Sequence, residues 1–281
     1  MKHLLQDWLT IRGQIHRFSS FYFFLDYDGT LTPIVSRPEL AFLSSEAREV
    51  LIQLRDCPQV LLAIISGRTL EDLYAMIGIP GITYVGNHGL EIRNPAGIHK
   101  KMLSASRRRE IKQIQAALKT SFGALPGILF EDKESILSVH YRMVARENQE
   151  KVSREIEKFM KKWGARWTVI PGKMVYEIRP RADFHKGKAV RDLLKNVPLS
   201  PVLPFYFGDD QTDEDAFHFL KGRGITIFVG PPGSASEAEY FLQNPAEVLE
   251  FLEGIAETAP IGDFTAEKNR NGSAKKNGRM I

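Results

Sequence analysis

The sequence predicts an α/β fold in which a parallel sheet is interrupted by a smaller α+β domain. In the outer parts of the chain, short apolar runs alternate with segments of helical periodicity, which is the pattern of a parallel sheet with helices on both faces. In the middle, from about Leu103 to Ile178, two helical segments are each followed by two strand-like runs. That order indicates a small antiparallel sheet backed by two helices, inserted between two halves of the larger domain.

The first outer part contains three strands separated by helices. The run "FYFFLDY" from Phe21 is long and apolar, as expected of a strand buried on both faces, and a helical pattern follows from Ser45 to Leu54. The run "VLLAIIS" is followed by a helix near Leu70 to Ile77, and "ITYVGN" then forms the next strand. These segments predict one half of the larger sheet.

The second outer part continues the alternation after Phe184 with "KGKAVRDLLKN", "PFYFGDD", "DEDAFHFLK", "GITIFVG" and "EVLEFLEGI". Polar residues follow four of the predicted strands, namely Asp26, Ser66, Asn87 and Asp209. In open α/β sheets the carboxyl ends of parallel strands lie at one edge, where ligands bind. We therefore expect these four side chains to form a single site.

The inserted segment has two amphipathic helices and four strands, "GILFED", "SILSVHYR", "RWTVI" and "KMVYEI". Pro171 and Gly172 are predicted to form the turn between the last two strands, because this residue pair is typical of turns. The predicted divisions are residues 1–102 and 181–262 for the larger domain, 103–180 for the inserted domain and 263–281 for a disordered tail.

The net charge of +4 is concentrated in the tail, whose 19 residues contain five Lys or Arg and two Asp or Glu. A near-neutral body without a basic stripe argues against a nucleic-acid partner. No apolar run approaches the roughly 20 residues of a membrane span, and Asp7 and Arg12 interrupt any N-terminal signal. The single cysteine, Cys57, permits no internal disulfide. We expect a cytoplasmic protein that is a monomer or a weak oligomer.

Asp26 and Asp28 stand two residues apart at the end of the aromatic strand, where their carboxylates repel each other near the core. In an extended segment both side chains point to the same side, and a hard divalent cation would relieve the repulsion. The donors are all oxygens, which favours Mg²⁺ over Zn²⁺. A calcium loop does not fit, because Leu31 stands where the loop needs glycine and Arg37 where it needs glutamate.

A second acidic cluster, "GDDQTDED", follows a later strand. Acidic residues in the first turn of a helix would account for Asp213, Glu214 and Asp215. They would not account for Asp209 and Asp210, which crowd the strand end itself. We expect this pair to lie beside the first carboxylate pair.

Ser66 and Lys186 complete the predicted site. Ser66 lies at a strand-to-helix turn, where its hydroxyl and the Gly67 amide could hold an anionic oxygen, although a simple helix cap is the alternative. Lys186 opens a helix, where a cation is unfavourable unless it has an anionic partner. Two carboxylates, a cation site, a hydroxyl and a lysine suit phosphoryl transfer to a carboxylate nucleophile.

Seven segments, in order, resemble the trehalose-6-phosphate phosphatase family of the haloacid dehalogenase superfamily. They are "DYDGTLTPI", "ISGR", "GNHGLE", "YEIRP", "KGKA", "GDDQTDEDAF" and "NPAEVLEFL". The resemblance covers about Phe23 to Leu252, leaving residues 1–17 and the tail outside it. It implies a Rossmann-like hydrolase core with an inserted cap, and Mg²⁺-dependent hydrolysis of trehalose 6-phosphate.

The resemblance also implies roles for the core residues. Asp26 attacks phosphorus and forms an aspartyl-phosphate, and Asp28 exchanges protons with the sugar oxygen and with water. Mg²⁺ is held by Asp26, by the backbone carbonyl of Asp28 and by Asp209. Asp210 and Asp213 support the metal, while Ser66 and Lys186 hold the phosphoryl oxygens.

The cap is expected to bind the sugar through charged residues on its strands. Ordinary cross-strand ion pairs on a solvated sheet face are the alternative explanation of the same spacing. On the larger domain, Arg68 and His88 complete the predicted substrate-binding set. The cap members of that set are Glu131, Lys133, Arg142 and Glu177.

Other functions remain open at this point. The substrate could be another sugar phosphate, such as sucrose phosphate or a glucosyl- or mannosylglycerate phosphate. A silent sugar-phosphate sensor is a different class, but a sensor does not need Asp28.

Overall fold

The computed structural model describes residues 1–15, 18–100, 105–123, 125–133, 136–180, 185–197 and 201–258. The helices are α1 (Leu4–Ile15), α2 (Ser45–Asp56), α3 (Leu70–Ile77), α4 (Ala105–Phe122), α5 (Arg146–Trp163), α6 (Lys186–Lys195), α7 (Glu214–Leu220) and α8 (Pro245–Thr258). None of these helices is long and apolar enough to cross a lipid bilayer.

The strands belong to two sheets. They are β1 (Lys2–His3), β2 (Ser20–Asp26), β3 (Val60–Ile65), β4 (Thr83–Gly86), β5 (Glu91–Asn94), β6 (Gly97–Lys100), β7 (Leu129–Asp132), β8 (Leu137–His140), β9 (Trp167–Gly172), β10 (Val175–Pro180), β11 (Val202–Gly208), β12 (Ile225–Val229) and β13 (Tyr240–Leu242).

The larger sheet has the order β1-β13-β12-β11-β2-β3-β4-β5-β6. Pairing is parallel from β1 through β4, as the alternating pattern predicts. Strands β5 and β6 form an antiparallel hairpin at one edge, which the sequence analysis did not assign. The predicted α/β class with a parallel sheet is confirmed.

Strand β2 is buried along its whole length because helices cover both faces of the sheet. Phe21, Phe23 and Leu25 point to the face covered by α2 and α8. Tyr22 and Phe24 point to the opposite face, against α6 and α7. Alternation along a strand therefore places the aromatic run in two hydrophobic cores. This fixes the end of β2, where Asp26 lies, between two packed layers.

The N-terminal residues form an additional edge of the larger domain. Strand β1 pairs with β13, and Leu4, Ile11 and Ile15 of α1 are buried in the core. Trp8 meets Phe251 of α8 edge to face, with ring centroids 5.0 Å apart. This segment lies outside the predicted resemblance but is packed on the same core.

The smaller sheet is antiparallel, with the order β7-β8-β10-β9, and α4 and α5 pack on one side of it. Ile111 and Ile114 of α4 and Val152 and Ile156 of α5 form a separate core with Trp167 of β9. The predicted helix-strand-strand-helix-strand-strand order of the inserted segment is confirmed.

The predicted turn between β9 and β10 is wrong by two residues. Pro171 and Gly172 belong to β9, and Pro171 pairs with Tyr176. The turn lies at Lys173 and Met174, and Met174 adopts a left-handed φ of 65°. Proline is compatible with an edge strand such as β9, so the Pro-Gly pair does not decide the position of the turn.

The proposed limits of the domains stay a prediction. The two limits of the inserted domain fall within or beside residues 101–104 and 181–184, which are outside the described residues. The predicted tail, residues 263–281, also lies outside them.

Candidate active site

A cleft of about 1020 Å³ lies between the strand ends of the larger sheet and the strands of the smaller one. This volume is at the upper end of the range for small-molecule sites. Asp213 is completely buried beneath the cleft rather than on its wall. The other residues predicted from the sequence as catalytic, substrate-binding or metal-binding all line the cleft: Asp26, Asp28, Ser66, Arg68, His88, Glu131, Lys133, Arg142, Glu177, Lys186, Asp209 and Asp210.

Three buried carboxylates converge at the base of the cleft. Asp26 ends β2, Asp209 follows β11, and Asp213 immediately precedes α7. One carboxylate oxygen from each lies within 4.8 Å of those of the other two. Oxygen donors this close suit a small hard cation such as Mg²⁺. Gly29 leaves room for the cluster, because a Cβ there would lie 2.1 Å from the Asp209 carboxylate.

Lys186 balances two of these carboxylates. Its Nζ donates to Asp26 Oδ1 at 2.7 Å and to Asp213 Oδ1 at 2.8 Å, and the lysine is 3% exposed. Burial alone would lower the pKa of Lys186, but the Asp213 and Asp26 carboxylates raise it well above its usual value. The lysine at the start of α6 therefore has the anionic partners that the sequence analysis expected.

Asp213 also organises the loop after β11. Its Oδ1 accepts a bond from the Tyr206 hydroxyl at 2.7 Å, and its Oδ2 accepts from the backbone amides of Asp209 and Asp210, both at 3.1 Å. The Asp210 carboxylate accepts from the amide and hydroxyl of Thr212. These bonds hold the acidic loop in place beside Asp26.

Asp28 has a different partner from Asp26. Arg68 Nε donates to Asp28 Oδ2 at 2.7 Å and Nη2 donates to Oδ1 at 2.6 Å, which forms a two-bond fork. Arg68 Nη2 also donates to the Pro38 carbonyl at 2.8 Å. Asp28 is therefore held by a guanidinium at the wall of the cleft, and its carboxylate is not a member of the buried cluster.

Ser66 is not the cap of α3. Thr69 fills that position, since its hydroxyl accepts from the Asp72 amide at 3.1 Å. The Ser66 hydroxyl accepts a bond from the Arg68 amide at 3.1 Å and lines the cleft. The simple-cap alternative is therefore wrong, and the hydroxyl remains available as a donor to a ligand.

The loop after β4 brings His88 across the cleft to the cap. Asn87 and His88 both have left-handed backbone conformations, with φ of 48° and 54°. His88 Nε2 lies 2.5 Å from Glu177 Oε2. Among the described residues, the buried Asn87 Oδ1 and His88 Nδ1 have no hydrogen-bond partner.

On the cap, Glu177 is the most buried carboxylate that faces the cleft. Burial would raise its pKa, but His88, Lys133 and Arg179 lower it to about 2. Lys133 Nζ lies 3.7 Å from Glu177 and donates to the Gly67 carbonyl at 3.0 Å. Glu177 is therefore held in its charged form between the cap and the core.

Glu131 and Arg142 form the outer part of this wall. Glu131 pairs with His140 at 2.9 Å and with Lys133 at 3.7 Å. Arg142 donates to the carbonyl of Val35 and, at 3.2 Å, to that of Lys173. Cross-strand pairing therefore occurs, and its members line the cleft, although the Glu131 side chain is 42% exposed.

One contact with the buried carboxylates was not predicted from the sequence. Lys173, at the tip of the β9–β10 turn, reaches from the cap to the carboxylate of Asp209. Burial raises the pKa of Asp209 to about 6, although Lys173 lowers it; the nearby Asp210 and Asp213 carboxylates also raise it. A lysine in a turn is usually solvent-exposed, so the sequence held no signal for this contact.

Residues 24–246 match the family described as trehalose-phosphatase. The chain belongs to this family. It is 37% identical over 241 residues to a trehalose-phosphate phosphatase of Mycobacterium bovis, in an alignment covering 83% of this chain and 60% of that relative. It is 34% identical over 249 residues to a probable trehalose-phosphate phosphatase of Arabidopsis thaliana, covering 83% and 67% of the two chains.

The fold is likewise that of the family. The C-terminal domain of a C. albicans trehalose-6-phosphate phosphatase superposes with a TM-score of 0.77 at 25% identity, covering 89% of this chain and 96% of that one. The resemblance inferred from the seven segments is thus confirmed, as is the hydrolase core with an inserted cap. The chain spans only about 60% of the length of the mycobacterial relative.

Proposed function

We propose that this protein is a Mg²⁺-dependent phosphatase that hydrolyses trehalose 6-phosphate to trehalose and phosphate. The observation that carries the proposal is the pair Asp26 and Asp28 in the cleft, with Asp26 beside two further carboxylates and Asp28 at the wall. The family to which the chain belongs supports the choice of substrate.

The reaction proceeds through the carboxylate of Asp26. An Asp26 oxygen attacks phosphorus, the bond between phosphorus and the sugar oxygen breaks, and Asp28 gives that oxygen a proton. Water then attacks the aspartyl-phosphate, Asp28 takes a proton from it, and the carboxylate of Asp26 is regenerated as phosphate leaves. General acid–base help of this kind is worth about 10²–10⁴ in rate.

Arg68 limits when Asp28 can act. Both Asp28 oxygens accept bonds from the guanidinium, so one oxygen must be released before it can carry a proton to the sugar. A substrate that enters between the cap and the core would lie beside Asp28, where the sugar oxygen can replace one of the Arg68 bonds to this carboxylate.

The cation site fits Mg²⁺ because three carboxylates of the described residues converge there and offer it oxygen ligands. Asp26, Asp209 and the backbone carbonyl of Asp28 would hold the ion, with Asp210 and Asp213 in support. When bound, the ion neutralises negative charge on the nucleophile and on the phosphoryl oxygens. Ser66 and Lys186 are proposed to bind those oxygens.

The cap supplies the contacts for the sugar. Glu177, Lys133 and Glu131 line the wall that faces the core, and a disaccharide offers hydroxyls that suit such groups. Arg142 donates to the Val35 carbonyl of the core, and His88 contacts Glu177. Burial of Glu177 and His88 favours a ligand rich in hydroxyls, because a ligand without them would leave buried polar groups unpaired.

The test is phosphate release from a panel of sugar phosphates, with Mg²⁺ and after chelation with EDTA. We expect a preference for trehalose 6-phosphate, loss of activity on chelation and recovery with Mg²⁺. Asp26→Asn should abolish release while leaving the unfolding transition in place. Activity of this variant within tenfold of the parent would contradict the assignment of the nucleophile.

Action as a monomer or weak oligomer in the cytoplasm, with no nucleic-acid partner, remains a prediction.

A further inference from the structure

The positive charges around the buried carboxylates come from two different domains. Lys186, from α6 of the larger domain, bonds Asp26 and Asp213. Asp209 is instead bonded by Lys173, from the β9–β10 turn of the cap. Each member of the three-carboxylate cluster therefore has an ammonium partner, but only one of the two lysines is fixed to the core.

The turn that carries Lys173 is held in a defined conformation. Met174 adopts a left-handed φ of 65°, which costs energy in a residue that is not glycine. The Met174 carbonyl accepts from the Tyr141 amide at 3.0 Å, and the Lys173 carbonyl accepts from Arg142 at 3.2 Å. Arg142 also bonds the Val35 carbonyl of the core. The cap therefore directs this lysine toward Asp209.

The two lysines differ in how easily they can leave their partners. The Lys186 side chain is 3% exposed, so removing its partners would strand a buried cation. The Lys173 side chain is 50% exposed, so it can move into water at little cost. Asp209, at 4% side-chain exposure, has no such option, and its charged form is stabilised by a cation beside it.

A divalent cation bound by Asp26 and Asp209 would repel the ammonium of Lys173 at short range. The cation and the ammonium of Lys173 would thus each neutralise the charge of the Asp209 carboxylate. Of the two lysines, only Lys173 is exposed enough to move away. We propose that Lys173 is an exchangeable counter-ion that occupies Asp209 when the cap is closed without metal, and that cation binding displaces it. The proposal rests on the cation site of the proposed function.

Displacement of Lys173 would loosen one of the links between the cap and the core. Because coupling between two equilibria is reciprocal, a cap held closed by Lys173 weakens cation binding by the factor by which the cation weakens closure. Lys173 therefore couples cation binding to closure of the cap on the core, before any substrate is present.

The test is Mg²⁺ binding to the full chain without substrate, measured by isothermal titration calorimetry. Lys173→Met should tighten Mg²⁺ binding by about three- to tenfold, because the variant loses a competing charge. Lys173→Arg, which keeps the charge, should lie closer to the parent. Lys151→Met, which removes an exposed lysine from the outer helix α5, is the matched control and should bind Mg²⁺ like the parent.

Hydrogen exchange gives a second readout. In the parent, Mg²⁺ should increase exchange of the peptide spanning residues 171–175, and in Lys173→Met this peptide should not respond. Equal Mg²⁺ affinity in parent and Lys173→Met, or weaker affinity in the variant, would overturn the proposal. If neither the parent nor any variant binds Mg²⁺, the cation site of the proposed function fails as well, so the two failures are distinguishable.

Discussion

The carboxylates of Asp26 and Asp28 are two residues apart in the chain but have different partners. Lys186 bonds Asp26 in the buried cluster, whereas Arg68 forms a fork with Asp28 at the wall of the cleft. The planar guanidinium fixes the direction of the Asp28 carboxylate as well as its charge. The repulsion between these two carboxylates, which the sequence predicts, is therefore relieved by two separate cationic side chains, even without metal.

The two bonds between Arg68 and Asp28 predict the effect of replacing this arginine by lysine. Arg68→Lys keeps the charge but loses the second bond to Asp28, so the carboxylate is less well oriented. We expect kcat to fall by about tenfold, equivalent to about 1.4 kcal/mol, with little change in KM for trehalose 6-phosphate. Steady-state kinetics test this. A raised KM at unchanged kcat would show instead that Arg68 binds substrate, as the sequence analysis expected.

The residue types of the site could be read from the sequence, but some of their contacts could not. Asp26, Ser66 and Asp209 follow strand ends and line one cleft, as the topology of the sheet predicts. Asn87 also follows a strand end but does not line the cleft, and its side-chain amide donates to Glu91 instead. The contact of Lys173 with Asp209 joins a turn of one domain to a loop of another. It depends on how the domains dock, for which local pattern gives no signal.

At the level of elements, the position of Lys186 depends on the close approach of α6 and α7. Gly187 lies at this contact, and a Cβ there would stand 2.2 Å from the carbonyl oxygen of Asp215. With that Cβ, helix α6 could not pack as closely against α7 as it does. The glycine in "KGKA" is therefore explained by packing next to the lysine that bonds Asp26.

Gly187→Ala is expected to destabilise the protein by about 1–3 kcal/mol, because backbone must shift to admit the methyl group. Activity should fall further than stability accounts for, since Lys186 moves with the helix. Gly254→Ala is the matched control: a Cβ there meets nothing within 4 Å, and helix propensity predicts no loss and up to about 1 kcal/mol of gain. Urea unfolding of both variants tests this, and equal stabilities would refute the packing argument.

The sequence predicted the strongly patterned elements better than the edges. Helix α3 begins and ends where its spacing indicates, at Leu70 and Ile77, because its cap and its apolar face agree. Strands β5 and β6 were not predicted, since β5 is only half-buried and has no apolar run. The β9–β10 turn was misplaced because Pro171 and Gly172 fit an edge strand as well as a turn.

Across the whole molecule, the two domains divide the work of the cleft. The larger sheet positions the groups proposed for phosphoryl transfer, and the cap positions those proposed for the sugar. The contacts of the cap with the core include Lys133 with Gly67, Glu177 with His88, Lys173 with Asp209 and Arg142 with Val35. The sequence indicated both domains but not this closure, because interdomain contacts follow from tertiary packing.

This division of work is the central claim, and Glu177→Ala tests it most directly. The measurement is kcat/KM for trehalose 6-phosphate and for a small aryl phosphate, in the parent, in Glu177→Ala and in the control Glu150→Ala, which removes an exposed glutamate from the outside of the cap. We predict a loss of about 10–100-fold on trehalose 6-phosphate and almost none on the aryl phosphate, because the second substrate uses only the core. The control should match the parent on both. Equal losses on the two substrates in Glu177→Ala, or no preference of the parent for trehalose 6-phosphate over other sugar phosphates, would contradict the account.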